Sequence, residues 1–256
     1  MPNALITGAG SGIGRAIAAR LVQDGFKVWI TDIDFEAAEK VGKALNMPYL
    51  KVDITQRKDL LLARDLIYKE DGRLDILVAN AGVSTMNHFL NLSEEEWDFV
   101  FNVNTKGTFL TIQTFAQAMV RQDFMPNREL RGKIIAIASM AARSAAPLLA
   151  HYSASKFAVV GLVQAAAKEL APFKITVNAV NPGFVKTPMQ EREILWEANL
   201  RNVTPEEVIK EYLSKTPLGR LELPEDVAAV VGFLASKDSD FMTGEVLEVN
   251  GGAWIF

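Results

Sequence analysis

The feature that most constrains this chain is a regular alternation of short apolar runs with helix-length segments along most of its 256 residues. Such runs are typical of strands buried on both faces, and their alternation with helices predicts a parallel sheet. The predicted strands are Ala4–Thr7, Lys27–Thr31, Tyr49–Ile54, Leu74–Ala79, Lys133–Ser139, Ile175–Val180 and Glu245–Val249. The predicted helices include Ile13–Leu21, Glu36–Leu45, Lys58–Glu70, Thr105–Val120, Ser153–Leu170 and Glu225–Ser236. The sequence therefore predicts an α/β fold of Rossmann type, with a doubly wound seven-stranded parallel sheet and helices on both faces.

Two segments interrupt this alternation. Arg121–Arg131 is polar, and we expect it to be a surface loop before the fifth strand. Segment 184–217 is longer and contains a second helix start, with Thr204 as the N-cap, Pro205 in the first helical position and Glu207 three residues after the cap. Because doubly wound sheets bind ligands beyond the carboxyl ends of their strands, segment 184–217 is predicted to be a substrate lid. The alternative is a helical hairpin on the surface.

Residue types that the chain lacks exclude several kinds of site. Without cysteine it cannot form a disulfide, a thiolate nucleophile, a zinc–cysteine site or an iron–sulfur cluster. His88 and His151 are too few for a three-histidine metal site, so we expect no metal. A net charge of −4 without basic runs argues against nucleic acid or a membrane surface as partner. With no linker, spanning segment or signal peptide pattern, we expect one domain over residues 1–256, located in the cytoplasm.

A glycine-rich turn joins the first predicted strand to the first helix. Gly8, Gly12 and Gly14 form the pattern G-x-x-x-G-x-G. Glycines let backbone amides approach a pyrophosphate closely, and the N-terminus of a helix favours its negative charge. The position of the turn therefore favours a dinucleotide site over a tight turn without a ligand, which is the alternative.

Asp32 ends the second predicted strand. A carboxylate at this point accepts hydrogen bonds from both ribose hydroxyls and repels a 2′-phosphate, which favours NAD over NADP. Ile33, Asp34 and Ser11 offer no cation that would hold the phosphate. The alternative is that Asp32 caps the following helix, and the two roles are compatible.

Tyr152 and Lys156 are four residues apart in a predicted helix, so their side chains share one face. A phenol has a pKa near 10 and is a poor base at neutral pH unless nearby positive charge stabilises the phenolate. Ser139, at the carboxyl end of the fifth strand, is placed to hydrogen-bond a substrate oxygen. Alone, a tyrosine–lysine pair at this spacing is usually only a surface pair.

Together these residues resemble the short-chain dehydrogenase/reductase family, and the resemblance extends over essentially the whole chain. Its motifs occur here in the family's order and spacing: Thr7–Gly14, Asp32, Asp53, Asn80–Gly82, Asn104, Ser139, Tyr152, Lys156, Pro182–Gly183 and Thr187. Position 79 is alanine where many members have a further asparagine, a mild departure if Asn80 makes the contact.

The resemblance implies a role for each matching residue. Tyr152 would exchange a proton with the substrate oxygen, and Ser139 would polarise that oxygen. Lys156 would bind the nicotinamide ribose and lower the tyrosine pKa, while Asn104 would anchor a water that links the lysine to solvent. The implied cofactor contacts are Gly8, Ser11, Gly12, Ile13, Gly14, Asp32, Ile33, Asp53, Ile54, Asn80, Ala81, Gly82, Tyr152, Lys156, Pro182, Gly183, Val185 and Thr187.

Within the family, Tyr152–Met189, Leu218–Leu221 and Pro224–Ala228 are similar to bacterial acetoin/butanediol and polyol (sorbitol-type) dehydrogenases. Much of these segments is shared with acyl-thioester reductases, so reduction of 3-oxoacyl thioesters or bulky ketones is the alternative. Arg143 and His151 could bind a polyol hydroxyl or a carboxylate, or else be a solvated arginine and a packed neutral histidine. The expected substrate contacts are Ser139, Met140, Arg143, His151, Tyr152, Met189 and Trp196.

The sequence therefore predicts an NAD-dependent oxidoreductase that transfers a hydride between NAD(H) and a small polyol, vicinal diol or sugar-derived alcohol. An NADH-binding regulatory protein or an S-adenosylmethionine-dependent methyltransferase would leave the tyrosine–lysine pair unexplained. The resemblance implies a homotetramer with Thr105–Val120 and Ser153–Leu170 in its interfaces. The apolar tail Gly251–Phe256 would pack on its own core or on another subunit.

Overall fold

The computed structural model describes residues 1–255 and contains one parallel sheet of seven strands. The strands are β1 (Asn3–Thr7), β2 (Lys27–Asp32), β3 (Tyr49–Lys51), β4 (Ile76–Ala79), β5 (Gly132–Ile137), β6 (Ile175–Pro182) and β7 (Val246–Val249). Their order across the sheet is β3-β2-β1-β4-β5-β6-β7, with every neighbouring pair parallel. The predicted fold class is confirmed, and the strand order reverses direction between β1 and β4.

Nine α-helices accompany the sheet in the described residues. They are α1 (Gly12–Gln23), α2 (Phe35–Leu45), α3 (Arg57–Asp71), α4 (Glu94–Phe101), α5 (Thr108–Met119), α6 (Ala150–Leu170), α7 (Pro188–Arg201), α8 (Pro205–Lys215) and α9 (Pro224–Ala235). None of these helices is both long and apolar enough to cross a membrane.

Two cores form because alternate residues of each buried strand face opposite sides of the sheet. Leu5 of β1 and Leu77 of β4 lie in a core that includes residues of α3, α5 and α6. Their strand neighbours, among them Ile6 and Val78, lie in the other core with residues of α1, α2 and α9. Both faces of the sheet are therefore covered, as the uninterrupted apolar runs require.

Several boundaries differ from the predicted ones. Strand β3 ends at Lys51 rather than at Ile54, because the Asp53 carboxylate accepts hydrogen bonds from the amide and hydroxyl of Thr55 and turns the chain. Helix α5 begins later than predicted, since Asn102–Gly107 forms a π-helical turn. Helix α4 was not predicted at all, although Ser93 and Glu96 form a capping box at its start.

The interruption at residues 184–217 forms α7 and α8, and the predicted helix start is confirmed. The Thr204 hydroxyl accepts from the Glu207 amide at 3.2 Å, and the Glu207 carboxylate accepts from the Thr204 amide at 2.8 Å. A small core of their own joins the two helices, with Ile194, Ala198, Val208, Tyr212 and Leu221.

Two further segments were singled out in the sequence. Residues 121–131 form the expected connection between α5 and β5, anchored by buried Met125 and Leu130. In the apolar tail, Trp254 is partly buried and Ile255 is 75% exposed, while Phe256 lies outside the described residues.

Candidate active site

A cleft of about 870 Å³ opens beyond the carboxyl ends of the strands, where doubly wound sheets bind their ligands. Every residue predicted to contact the cofactor lies in its wall. Ser139, Met140 and Met189 from the predicted substrate contacts line the same cleft. The fold therefore brings together residues that are more than a hundred positions apart in the chain.

The glycine turn is shaped to admit a ligand at the start of α1. Gly8 and Gly12 have positive φ angles of 65° and 50°, which favour glycine. A Cβ atom on Gly8 would lie 2.8 Å from the Cα of Ala81, so the turn and the end of β4 leave no room for a side chain there. Ser11 is the N-cap residue of α1 and makes no side-chain cap, so the first amides of the helix keep their capacity to bind an anion.

Thr7 and Asn80 lock this turn to β4. The Asn80 side-chain amide donates to the carbonyls of Thr7 and Gly8, at 2.9 and 3.0 Å. The Thr7 hydroxyl accepts from the backbone amides of Asn80 and Ala81, each at 3.1 Å. The loop therefore has its conformation fixed by the protein itself.

Asp32 sits at the end of β2 with its carboxylate oriented by two backbone amides. It accepts from Gly10 at 2.9 Å and from Asp34 at 3.0 Å. Helix α2 is capped by Asp34, whose side chain accepts from Ala37, so Asp32 does not serve as the cap. Neighbouring Ile33 is 60% exposed and lines the cleft. The Asp32 carboxylate is thus held in the wall of the cleft.

Tyr152 and Lys156 project from α6 into the cleft, and Ser139 enters it from the end of β5. The Lys156 ammonium donates to the Ile137 carbonyl at 3.0 Å and lies 5.7 Å from the centre of the tyrosine ring. Burial lowers the pKa of Lys156 to about 8, and Glu193 opposes this drop. The lysine therefore loses its charge in the weakly alkaline range.

In the protein alone, the pKa of Tyr152 shifts in the direction opposite to the one expected from the sequence. Burial and the nearby Glu193 carboxylate raise the pKa of Tyr152, and hydrogen bonding with Ser139 lowers it only in part. The expected lowering by Lys156 is therefore not among the effects on Tyr152 here. Positive charge additional to that of the protein is needed to stabilise the phenolate.

Asn104 lies behind the cleft rather than in its wall. It is fully buried in the π-helical turn, where its side chain bonds the amide of Val83 at 2.8 Å and the carbonyl of Val83 at 2.9 Å. It also donates to the Ser155 hydroxyl at 3.1 Å. A Cβ atom on Gly82 would lie 3.2 Å from its side-chain oxygen and 3.4 Å from the Lys156 ammonium nitrogen. Asn104 thus fixes the wall segment beside the lysine.

The end of β6 and the segment after it contribute Pro182, Gly183, Val185 and Thr187 to the wall of the cleft, a part of the wall that we call the floor. The Gly183 amide donates to the Glu222 carboxylate at 2.6 Å and to a carbonyl of β7 at 3.0 Å. Burial raises the pKa of Glu222 to about 8, and one of its oxygens is buried without a hydrogen-bond partner. This floor is therefore held by a group that favours its protonated form near neutral pH.

Three of the predicted substrate contacts are absent from the described wall of the cleft. Arg143 pairs with Glu248 of β7 at 3.3 Å. His151 is fully buried, bonds the Thr85 hydroxyl at 2.6 Å, and has its pKa lowered by burial, so it is a packed neutral histidine. Trp196 is 37% exposed on α7 and is not among the lining residues. These three residues therefore lie outside the group that the described cleft brings together.

Sequence reasoning missed several lid residues that do line the cleft. They are Gln190, Arg192, Glu193, Tyr212 and Lys215. The Glu193 carboxylate accepts from the Ser84 hydroxyl and from the Gln190 side-chain amide, the latter at 3.2 Å. A usable signal existed: Met189 was a predicted contact, and Glu193 lies one helical turn further on.

Comparison with known proteins gives a consistent result. A family model described as enoyl-(acyl carrier protein) reductase matches residues 8–253. A short-chain dehydrogenase/reductase of Armillaria gallica is 40% identical, covering 97% of this chain and 94% of that protein. L-2,3-butanediol dehydrogenase of Corynebacterium glutamicum is 38% identical, covering 97% of both chains. The crystal structure of sorbitol-6-phosphate 2-dehydrogenase of Erwinia amylovora is similar with a TM-score of 0.92 at 30% identity, covering 99% of this chain and 100% of that one.

Proposed function

The chain belongs to the short-chain dehydrogenase/reductase family of oxidoreductases, and we propose that it is an NAD-dependent dehydrogenase of small polyols, vicinal diols or sugar-derived secondary alcohols. Members of this family bind NAD or NADP. The observation that carries the proposal is the meeting of Ser139, Tyr152 and Lys156 with Asp32 and the glycine turn in one cleft. A protein that only bound a dinucleotide would need no acid/base tyrosine beside it.

The cofactor fits the residues present. The glycine turn and the N-terminus of α1 would hold the pyrophosphate, and Asp32 would accept from the ribose hydroxyls of NAD. Asp53 and Ile54 would border the adenine, and Lys156 the nicotinamide ribose. When bound, the oxidised nicotinamide accepts the hydride from the carbinol carbon of the alcohol.

The chain's own residues handle the proton. Tyr152 takes the proton of the substrate hydroxyl, while Ser139 holds the oxygen in place by a hydrogen bond. Because the protein alone raises the pKa of this phenol, the base forms only with the added positive charge of the oxidised cofactor.

The substrate assignment is supported by the lid as well as by the relatives. Helices α7 and α8 contribute polar side chains to the wall, including Gln190, Glu193 and Tyr212. We propose that 184–217 acts as the substrate lid of a single catalytic domain. The butanediol and sorbitol-phosphate enzymes named above both act on hydroxylated substrates, as their names state.

A second candidate is reduction of 3-oxoacyl thioesters or bulky ketones, which the description of the matching family model favours. Polar groups in the lid argue for the smaller, hydroxylated substrate. We also propose a cytoplasmic homotetramer, supported by the aromatic residues Phe109 of α5 and Phe157 of α6, each partly exposed. A stable monomer in sedimentation would contradict the assembly.

The test is NADH production by the purified protein across a panel of polyols, vicinal diols, apolar secondary alcohols and 3-hydroxyacyl thioesters, with NAD and NADP in parallel. We expect the highest kcat/KM for a small diol or polyol with NAD. Preference for the thioester or for a bulky apolar alcohol would overturn the substrate class and leave the reaction type intact.

A further inference from the structure

Glu193 is an acid in the cleft wall that the reaction as described does not use. It lies on α7, and its side chain is partly buried. Two buried residues orient its carboxylate, the Ser84 hydroxyl on one oxygen and the Gln190 side-chain amide on the other. A carboxylate held at both oxygens has a defined direction, which a solvated surface acid does not.

The carboxylate is short of compensating charge. Among residues 1–255, no cation lies within salt-bridge distance of it. Burial raises the pKa of Glu193; Glu197 adds to this, while Ser84, Arg192 and Lys156 oppose it. A carboxylate accepts about four hydrogen bonds, and the protein supplies only two here. The carboxylate can therefore accept further hydrogen bonds, and its burial makes them favourable.

The position of Glu193 relates it to the reacting atoms. Glu193 lines the same cleft as Tyr152 and Lys156, and its charge raises the pKa of both. Ser84, which holds it, follows directly on the wall segment that Asn104 fixes beside the lysine. A substrate hydroxyl bound at Glu193 is thus next to the substrate hydroxyl whose oxygen contacts Tyr152.

Resting on the function proposed above, we infer that Glu193 determines specificity by accepting a hydrogen bond from a second hydroxyl of the substrate, adjacent to the carbinol that is oxidised. The cleft then selects neutral vicinal diols and polyols. A substrate without that hydroxyl leaves the Glu193 carboxylate with fewer hydrogen-bond donors. A substrate with an anionic group at that position is repelled by the negative charge of Glu193. The cations Arg192 and Lys215 in the same wall are exposed and so compensate it weakly.

The experiment compares two alcohols that differ by one hydroxyl, butane-2,3-diol and butan-2-ol, in wild type and in Glu193→Gln and Glu193→Ala. We expect the ratio of kcat/KM for the diol to that for the mono-alcohol to fall in both variants. The fall should be about tenfold in Glu193→Gln and up to about a hundredfold in Glu193→Ala, as loss of a hydrogen bond to a charged group implies. The loss should lie mainly in KM for the diol. Glu191→Gln makes the same change at an exposed position of the same helix and should leave the ratio unchanged.

Two further measurements keep the outcomes separate. The Kd for NADH, measured by fluorescence, should stay within about twofold of wild type in all variants. Ser84→Ala should give an intermediate fall in the ratio, because it keeps the Glu193 carboxylate but removes one hydrogen bond that orients it. An unchanged ratio in both Glu193 variants of an enzyme that prefers the diol overturns the role of Glu193 alone. Weakened NADH binding with an unchanged ratio assigns the carboxylate to the cofactor. Wild-type protein that oxidises neither of these alcohols nor any polyol or diol of the panel overturns the proposed function itself.

Discussion

The proposed cofactor side and the proposed substrate side of the cleft are built differently. On the cofactor side, the wall consists of strand ends and the turn into α1, and backbone groups of Gly10, Thr7 and Gly8 bond directly to Asp32 and Asn80. On the substrate side, α7 and α8 are joined through their own small core and reach the cleft through side chains such as Glu193. The sheet fixes the first side, whereas packing of side chains fixes the second. Changes on the first side should therefore act on catalysis and cofactor choice, and changes on the second on substrate affinity and local stability.

The largest effect is expected at the junction of the two sides. Tyr152→Phe removes the acid/base group and should lower kcat/KM about a thousandfold or more, within the range for general acid–base catalysis. NADH binding should persist, as the other cofactor contacts remain. Steady-state kinetics and fluorescence titration measure the two effects. Tyr49→Phe, which removes a hydroxyl at the far edge of the sheet, is the matched control. Full activity of Tyr152→Phe would disprove the mechanism.

The next effect isolates the cofactor side. Asp32→Ala removes the acceptor for the ribose hydroxyls and the repulsion of a 2′-phosphate, so the preference for NAD over NADP should fall about ten- to hundredfold, the size of one or two charged hydrogen bonds. The ratio of kcat/KM with the two cofactors measures it. Asp34→Ala is the control: it also removes one carboxylate, at the N-cap of α2, and should not change the ratio. An equal response of both variants would point to general charge rather than ribose recognition.

Glu222 tests the floor that the two sides share. Its pKa is raised to about 8 when folded and is about 4.5 when unfolded, so the folded protein binds more protons between these values. Its contribution to stability is fully present below pH 4.5 and is lost as the pH rises through 8. The change in unfolding free energy caused by Glu222→Gln should thus be more favourable at pH 9 than at pH 5, by on the order of 1 to 3 kcal/mol. Thermal unfolding at both pH values measures it, with exposed Glu225→Gln as the control. A difference independent of pH would contradict the assignment.

The smallest effect belongs to the lid. Thr204→Ala removes the cap of α8 and should cost about 1 kcal/mol of helix stability, with Thr204→Ser restoring it. Because the lid has its own core, we expect this loss to appear as faster amide exchange in α7 and α8 and a higher KM for the alcohol. Binding of NADH should not change. Faster exchange throughout the sheet would show that the lid is not a separate unit of stability.

The same difference between the two sides decides how far the sequence predicts the site. Strand ends, positive-φ glycines and an i, i+4 pair are local features, so the sequence locates Gly8, Asp32 and Lys156 in the cleft. Which face α7 turns toward the cleft depends on its packing with α8, so Trp196 was predicted to contact substrate and Glu193 was missed. Arg143 and His151 bond partners that are distant in the chain, Glu248 and Thr85, and the local sequence gives no sign of either contact.

The lock between Thr7 and Asn80 has a consequence for how fast the protein exchanges its cofactor. A loop that the protein already holds in one conformation loses little conformational entropy when a dinucleotide binds, so more of the contact energy remains as affinity. Association then needs no slow rearrangement of that loop, and its rate is set by access through the mouth of the cleft. The motion that limits turnover would then lie in the two helices on the other side, whose opening releases the reduced cofactor and the ketone.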